Sequence, residues 1–274
     1  MLEHGLRRTG EGVTCRTIEV SGHPREFIVY VPRKAVEQAP VVFMFHGSSG
    51  TGGQFLRISG WREQADATGL VAVFPTGLRY RVLAGGRLST KWNDGELASE
   101  VDLDERPPGY PAAAPWPADD VGFFDAMLTD LSAHLSIDPH RIYASGFSSG
   151  ANFVARLAVE RSTVLAAAAF SAGGLSAARS PDRPTPMYAT AGTLDDRILA
   201  RTGPPPLDRR YAVRAQPNST SLRWPAEGPG PGGAVFRFSL LAGLGHSYAN
   251  GGNNPGGFAA APEFWTFFAH HPLP

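Results

Sequence analysis

The chain has little of what disulfide-bonded or membrane-spanning proteins depend on. Its 274 residues include a single cysteine, Cys15, which excludes an internal disulfide. Lysine plus arginine and aspartate plus glutamate both number 25, so no charge excess favours nucleic acid or an anionic membrane. The longest apolar stretch, Val164–Ala172, is about half of the ~18 residues that a membrane span needs. We therefore expect no nucleic-acid partner and no membrane partner.

Length and composition predict one folded unit. The 42% share of apolar residues and the 18% share of charged residues are typical of globular domains. A chain of this length can bury a core without covalent cross-links, and we expect residues 1–274 to form a single α/β domain. Residues 1–8 lack the apolar core of a signal peptide. The sequence therefore favours either a cytoplasmic protein or the mature form of a secreted one.

The most informative segment is Gly146-Phe147-Ser148-Ser149-Gly150. Strand-forming residues precede it at Arg141–Ala144, and a helical pattern without breakers follows at Ala151–Ala158. A Gly-x-Ser-x-Gly between a strand and a helix is the pattern of the nucleophile elbow in α/β-hydrolases. The alternative is a glycine-rich turn without chemistry, because a chain with 32 glycines also produces this pentapeptide by chance.

Two further candidates follow in the order that α/β-hydrolases use, which is Ser, then Asp or Glu, then His. Pro186–Ala191 is typical of a buried strand, and the loop after it carries Asp195 and Asp196. Val235–Leu241 alternates like a strand and leads into a glycine-rich loop that carries His246. Each candidate follows a strand, where an open α/β sheet has its ligand crevice. We therefore expect these side chains to meet Ser148.

Six motifs together carry a family resemblance. In chain order they are Phe45-His46-Gly47, Asp119-Asp120-Val121-Gly122-Phe123, Gly146-Phe147-Ser148-Ser149-Gly150, Gly192-Thr193-Leu194-Asp195, Gly245-His246 and Phe264-Trp265-Thr266-Phe267-Phe268. From about Thr17 to Phe268, the chain resembles the polyhydroxybutyrate depolymerase and feruloyl esterase group of α/β-hydrolases. It departs from that group in its lone cysteine, since members are often secreted with paired cysteines.

The resemblance implies a catalytic triad without a metal or organic cofactor. Ser148 matches the nucleophile, His246 the base and Asp195 the acid, with Asp196 as the rival for the acid. An imidazole has an unperturbed pKa near 6.5, so it can take the serine proton at neutral pH. A buried carboxylate fixes the tautomer of that ring and stabilises the imidazolium.

The oxyanion of the tetrahedral intermediate needs backbone N–H donors. We expect the Ser149 N–H to be one donor, because that residue follows the nucleophile. The resemblance implies the Ser48 N–H as the other. His46 stands in the group's His-Gly pair, and we expect a structural role for it. Asp119 and Asp120 open a helix, where capping and the helix dipole account for them.

Trp92 and Asn93 match an aromatic-polar pair at the pocket edge in this group, which implies substrate binding. The alternative is a tryptophan that packs its loop onto the domain. Two long segments, about 80–118 and about 201–233, are punctuated by Gly and Pro rather than periodic. We expect the first to form a pocket wall and the second to be either functional or a surface insertion.

The remaining patterns predict the fold. Cys15–Val20 and Glu26–Val31 form a predicted antiparallel hairpin. Val41–Phe45 and Val71–Phe74 are continuous apolar runs, as expected of strands buried on both faces. A helix is predicted from Asp119 to Leu135. This alternation predicts the α/β-hydrolase fold: a mainly parallel, doubly wound sheet with an antiparallel N-terminal hairpin and helices on both faces.

The leading function hypothesis is a serine carboxylic-ester hydrolase. Its substrate would be a short-chain ester, an aryl (feruloyl-like) ester or an ester bond in a polyester of the polyhydroxyalkanoate type. The substrate could thus be a small molecule or a polymer. A serine peptidase of the same fold and a non-catalytic binding protein remain alternatives. Gly47–Gly53 has the glycine spacing of a P-loop, but Gly53-Gln54 stands where Lys-Ser/Thr is required, which excludes nucleotide binding there.

Overall fold

A computed structural model of the protein describes residues 7–174, 181–198, 214–215, 221–225 and 235–274, and for 7–10, 214–215 and 221–225 it describes the backbone alone. The strands are β1 (Arg7–Gly10), β2 (Val13–Val20), β3 (His23–Tyr30), β4 (Ala39–Phe45), β5 (Val71–Pro75), β6 (Arg79–Arg81), β7 (Leu88–Thr90), β8 (Ile137–Phe147), β9 (Ala167–Ser171), β10 (Met187–Gly192), β11 (Arg214–Ala215), β12 (Ser221–Pro225) and β13 (Val235–Leu241). The helices are α1 (Gly52–Ile58), α2 (Trp61–Thr68), α3 (Asp120–His134), α4 (Ser149–Glu160) and α5 (Ala260–Ala269), and a helical turn begins at Asp196.

Eleven strands form one sheet in the order β1-β2-β3-β5-β4-β8-β9-β10-β13-β12-β11. The six central strands, from β5 to β13, run parallel. At one edge β1, β2 and β3 continue the sheet antiparallel. The predicted mainly parallel sheet with an antiparallel N-terminal hairpin is therefore confirmed.

The sheet is covered by helices on both faces because its central strands are apolar on both sides. In β4 every residue is buried. Phe43 packs edge-on against Phe124 of α3, with ring centroids 4.9 Å apart. On the opposite face Tyr143 of β8 stacks on Phe268 of α5, with centroids 4.7 Å apart. Helices α3 and α4 thus cover one face, and α1, α2 and α5 cover the other.

The described residues of the 201–233 segment include two short strands that the sequence analysis did not predict. Within it, Ser221–Pro225 forms β12, which pairs antiparallel with β13 and extends the sheet. Residues 201–213, 216–220 and 226–233 of the segment lie outside the described part. The Gly and Pro residues elsewhere in the segment are typical of turns in a sequence, and for that reason the five-residue strand was not predicted. Pro225 is tolerated at its end because a strand end can dispense with an N–H donor.

The 80–118 segment is a folded excursion. It carries the β6–β7 hairpin and a small core of its own, in which Tyr80 and Trp116 lie 4.8 Å apart between ring centroids. The Tyr80 hydroxyl accepts a hydrogen bond from the Ala118 N–H at 3.2 Å. This length of chain is therefore packed onto the domain rather than looped out.

Helix α3 begins under the base of this excursion. Asp119 caps it, because its carboxylate accepts from the Gly122 N–H at 2.8 Å, which confirms the predicted role. Asp120 stands in the first turn of α3, as the helix-dipole account expects. It is also buried, where it accepts from the Arg25 guanidinium at 2.6 Å and from the Asn93 N–H at 2.7 Å. Burial raises the pKa of Asp120, and the charge of Arg25 opposes that rise.

Candidate active site

Ser148 lies at a tight turn between β8 and α4, with φ 52° and ψ −117°. A non-glycine residue adopts this backbone conformation at a cost of about 1–3 kcal/mol. The flanking glycines make the turn possible by close packing. A Cβ on Gly146 would lie 2.3 Å from the Gly150 oxygen, and one on Gly150 would lie 2.2 Å from the Phe45 oxygen. The sequence pattern therefore reflects a steric requirement of this turn.

The serine, histidine and aspartate form a continuous hydrogen-bonded chain. His246 Nε2 lies 2.9 Å from Ser148 Oγ, and its Nδ1 lies 2.9 Å and 3.0 Å from the two carboxylate oxygens of Asp195. Asp195 is fully buried, and it also accepts from the N–H groups of Arg197 and Ile198 at 3.1 Å and 3.2 Å. Asp195 can therefore hold the Nδ1–H tautomer, which leaves Nε2 free to accept the serine proton.

Backbone contacts hold the acid loop against the histidine loop. The Leu194 N–H donates to the Leu244 oxygen at 2.9 Å, and the Gly243 N–H donates to the Thr193 hydroxyl at 2.9 Å. A Cβ on Gly192 would lie 2.0 Å from the Leu244 oxygen, so only glycine permits this approach. These contacts orient the carboxylate of Asp195 towards His246.

Asp196, the rival acid, is exposed and lies on the rim of the cleft above the serine. It begins the helical turn that follows Asp195. Its position differs from that of Asp195 because consecutive residues at a turn point in different directions. The structure thus brings Asp195, and not Asp196, into hydrogen-bond contact with His246.

The two expected oxyanion donors lie on either side of Ser148. Ser149 is the first residue of α4, and its N–H has no acceptor within the helix. The loop after β4 passes close by: a Cβ on Gly47 would lie 3.3 Å from Ser148 Cβ. In that loop the N–H groups of Ser49 and Gly50 are bonded to Thr90 and Gly47 oxygens. Among the described residues no acceptor is present for the Ser48 N–H.

His46 has the structural role that the sequence favoured. It is fully buried, its Nδ1 lies 2.7 Å from the Gly47 oxygen, and its Nε2 accepts from the Gly77 N–H at 2.9 Å. These partners require the neutral Nδ1–H tautomer. Burial accordingly lowers the pKa of His46 from its ordinary value of 6.5 to about 4.

Two clefts meet at Ser48 and His246. The larger, of about 660 Å³, is bounded by the 80–118 excursion, which confirms that segment as a pocket wall. Six charged residues line it: Arg87, Lys91, Asp94, Glu100, Asp196 and Arg197. The second cleft, of about 490 Å³, is lined mainly by amides, hydroxyls and rings: Ser49, Gln54, Phe55, Phe147, Ser247, Tyr248, Asn250 and Asn253.

Trp92 is among the residues that border the larger cleft, yet its ring is enclosed, and contact of Trp92 and Asn93 with substrate stays a prediction. The Trp92 side chain is 0% exposed, packs edge-on against Phe45 and parallel to Phe153, and donates its indole N–H to the His46 oxygen at 2.9 Å. The Asn93 amide is likewise engaged, with Nδ2 donating to the Ala118 oxygen at 2.9 Å. Both residues hold the excursion on the domain, and for Trp92 this is the packing role that the sequence analysis gave as the alternative.

Sequence reasoning missed Asn152, which lines the larger cleft. It lies four residues after Ser148 on α4, so the same helix face presents both. Its amide donates to Asp94 at 3.2 Å and accepts from the Gly174 N–H at 2.9 Å. Helical spacing from the nucleophile is the signal that could have found it.

Comparison with solved structures decides the fold. The acetyl xylan esterase of Aspergillus awamori superposes with a TM-score of 0.60 at 15% identity, covering 93% of this chain and 98% of that one. The chain has the α/β-hydrolase fold. No family model matches it.

Two curated relatives show the sequence similarity. The putative esterase NocK of Nocardia uniformis subsp. tsuyamanensis is 29% identical over 188 residues, which is 66% of this chain and 48% of the relative. Feruloyl esterase B of Piromyces equi is 27% identical over 171 residues, 60% of this chain and 28% of the relative. The resemblance to this group of α/β-hydrolases is confirmed, and the chain spans about half or less of the length of these relatives.

Proposed function

We propose that the chain is a serine carboxylic-ester hydrolase. The observation that carries the proposal is the hydrogen-bonded chain from Asp195 through His246 to Ser148, which ends in an open cleft. The similarity to proteins named as esterases supports the same class. We also propose that residues 1–274 act as a single catalytic domain, since one sheet runs from β1 to β13 and the triad comes from loops along its length.

The geometry supports an acyl-enzyme mechanism. As Ser148 Oγ attacks the ester carbonyl carbon, His246 Nε2 takes the hydroxyl proton, and Asp195 stabilises the imidazolium. The N–H groups of Ser48 and Ser149 stabilise the oxyanion. Collapse of the tetrahedral intermediate breaks the C–O bond, and His246 gives its proton to the departing alcohol. Water then attacks the acyl carbon as His246 Nε2 takes its proton. The bond between that carbon and Ser148 Oγ breaks, His246 returns the proton to Ser148 Oγ, and the carboxylic acid leaves.

The substrate we propose is a short-chain, aryl or polyester-type ester. Charged side chains line the larger cleft, and a long acyl chain would have to be buried against them. Both clefts open beside His246, so an ester can extend to either side of the scissile bond. This open shape suits an aryl ester or a segment of a polymer as well as a small acetyl ester.

The proposed function is tested by labelling and turnover together. The wild-type protein should react with a fluorophosphonate probe and hydrolyse p-nitrophenyl acetate. Ser148→Ala should abolish labelling and lower kcat by about three or more decades, because it removes the hydroxyl that lies 2.9 Å from His246 Nε2, whereas the Ser149 hydroxyl is bonded to the Trp92 N–H. Matched p-nitroanilides should react far more slowly than the esters. Wild-type turnover by Ser148→Ala would refute the proposal, and anilide turnover at the ester rate would indicate a peptidase instead.

A further inference from the structure

Trp92 connects the two chain segments that carry the oxyanion donors. Its indole N–H donates to the oxygen of His46, two residues before Ser48, at 2.9 Å. Its backbone N–H donates to Ser149 Oγ at 3.2 Å. One residue of the 80–118 excursion is therefore bonded both to the loop after β4 and to the first residue of α4.

We propose that Trp92 is a positioning residue that sets the separation of the Ser48 and Ser149 N–H groups. The inference rests on the proposed function, because it assigns Trp92 to the oxyanion hole of that reaction. Trp92 contacts neither Ser148 Oγ nor His246 in a hydrogen bond, so its effect is transmitted through the two backbone segments that it joins.

Packing gives the bridge its rigidity. The Trp92 ring lies at 90° to Phe45, the last residue of β4, with centroids 5.1 Å apart. It stacks on Phe153 of α4 with an interplanar angle of 16° and centroids 5.6 Å apart. A fully buried ring fixed by two other rings has few alternative rotamers. The indole N–H is therefore held at one place relative to both segments.

The other end of the oxyanion loop is held by the strand that leads to Trp92. The Thr90 hydroxyl donates to the Gly50 oxygen at 2.6 Å, and the Thr90 oxygen accepts from the Ser49 N–H at 3.0 Å. The Ser49 and Ser89 hydroxyls lie 2.9 Å apart. Ser48 thus lies between two points, His46 and Ser49, that are both fixed by residues 89–92.

This arrangement matters more in the transition state than in the ground state. Oxyanion donors stabilise the reaction only if they are aimed at the developing charge before the carbonyl becomes tetrahedral. A displacement of one donor weakens that contact and changes substrate binding little. Loss of the Trp92 bridge should therefore lower kcat with little change in KM.

The experiment compares Trp92→Phe with Trp61→Phe. Trp61 is also 0% exposed and also donates its indole N–H, to the Tyr248 hydroxyl at 3.2 Å, but it lies on α2 and bonds neither oxyanion segment. We expect Trp92→Phe to lower kcat about 10- to 100-fold with KM within about 2-fold of wild type. Its inhibition constant for a boronic acid, which forms a tetrahedral adduct on serine, should rise by the same factor. Trp61→Phe should change both quantities less than about 3-fold, because Trp61 bonds neither oxyanion segment.

Ser149→Ala tests the bridge from its other end, because it removes the acceptor for the Trp92 N–H and keeps the Ser149 N–H. It should lower kcat about 3- to 10-fold and leave KM unchanged. Equal effects of Trp92→Phe and Trp61→Phe, or a loss that appears in KM alone, would overturn the positioning role while the ester activity of the wild type stands. Absence of turnover and of fluorophosphonate labelling in the wild-type protein would refute both the proposed function and this role.

Discussion

At the scale of single residues, the site depends on polar groups whose environments differ sharply. Two histidines lie near the nucleophile, and only their surroundings separate their roles. His246 borders both clefts and contacts Ser148, whereas His46 is enclosed and has both ring nitrogens engaged by backbone groups. A histidine that is neutral because it is buried cannot exchange a proton with substrate, so His46 serves the structure of the loop.

The first prediction at this scale separates the two adjacent aspartates. Asp195→Asn should lower kcat by orders of magnitude, about 10⁴-fold in a comparable triad, because an amide favours the wrong histidine tautomer. Asp196→Asn, on the exposed rim, should change kcat less than about 5-fold, as expected for a residue outside hydrogen-bond contact with His246. Steady-state kinetics of the two variants check this. A larger loss in Asp196→Asn would move the acid by one residue.

The second prediction concerns His46 and pH. Its pKa is about 4 in the folded protein and 6.5 ordinarily, so between these values the unfolded chain binds a proton that the native state does not. The free energy of unfolding should therefore fall as pH drops from about 6.5 to about 4, by up to about 3 kcal/mol from this group alone.

Urea denaturation of wild type and His46→Asn across that pH range isolates this contribution. The asparagine amide can still donate to the Gly47 oxygen, but it cannot titrate. We expect the variant to be less stable at pH 7 and to lose less stability on acidification than the wild type does. Parallel pH profiles would show that His46 is not the group responsible.

At the scale of elements, the excursion from 80 to 118 depends on a buried ion pair. Arg25 of β3 and Asp120 of α3 are both almost fully enclosed, and Asp120 also accepts from the Asn93 N–H of the excursion. One carboxylate thus connects strand β3, helix α3 and the excursion. Burial makes an isolated charge here costly, so each partner requires the other.

A third prediction follows from this pairing. Arg25→Met should lower the free energy of unfolding by about 3–5 kcal/mol, because it leaves the Asp120 carboxylate buried without its cation. Adding Asp120→Asn should recover a large part of that loss, since the amide is neutral and its oxygen can still accept from the Asn93 N–H. Chemical denaturation of the two variants measures the difference. Equal stability of the single and double variants would mean that the carboxylate is relieved by other groups.

Several elements were predictable because they depend on local patterns. The strand β4 follows from its continuous run of apolar residues, and the hairpin of β2 and β3 follows from two strand-forming runs around a turn; both are present at nearly the predicted bounds. Strand β12 was not predicted, since its five residues lie in a segment whose sequence is rich in Gly and Pro, and they pair with the distant residues of β13. Pairing with a distant segment leaves no periodic signal in a short stretch.

At the scale of the whole molecule, the sheet places three loops from separate parts of the chain around one opening. The excursion adds a wall with charged side chains, and the described residues contain no helix long and apolar enough to cross a bilayer. The described part also contains no cluster of three or more side chains suited to hold a metal ion. What this opening accepts is set by its walls rather than by the triad.

The fourth prediction concerns acyl length. With p-nitrophenol as the constant leaving group, kcat/KM should be highest for acetyl to butanoyl esters and should fall for chains beyond about ten carbons. Burial of each added methylene in an apolar pocket would contribute about 0.8 kcal/mol of binding free energy. Charged walls oppose this contribution, because they lose hydration when an apolar chain covers them. Measurements below the micellar concentration of each ester avoid interfacial effects. A rise in kcat/KM with chain length would indicate an apolar pocket that the charged walls do not suggest.

By itself the sequence determined the fold class, the elbow at Ser148 and the order of acid and histidine. Those features are steric and periodic: Gly146 and Gly150 are required by contacts a few residues away, and apolar runs specify buried strands. Only the tertiary structure brought Asp195 rather than Asp196 against His246, gave Asp120 a buried partner and placed Trp92 in hydrogen bonds with both His46 and Ser149. Those outcomes depend on contacts across 46 to 95 residues of chain, such as Trp92 to His46 and Arg25 to Asp120. A local pattern carries no information about which distant group will face a side chain, because that is set when the sheet and its helices pack.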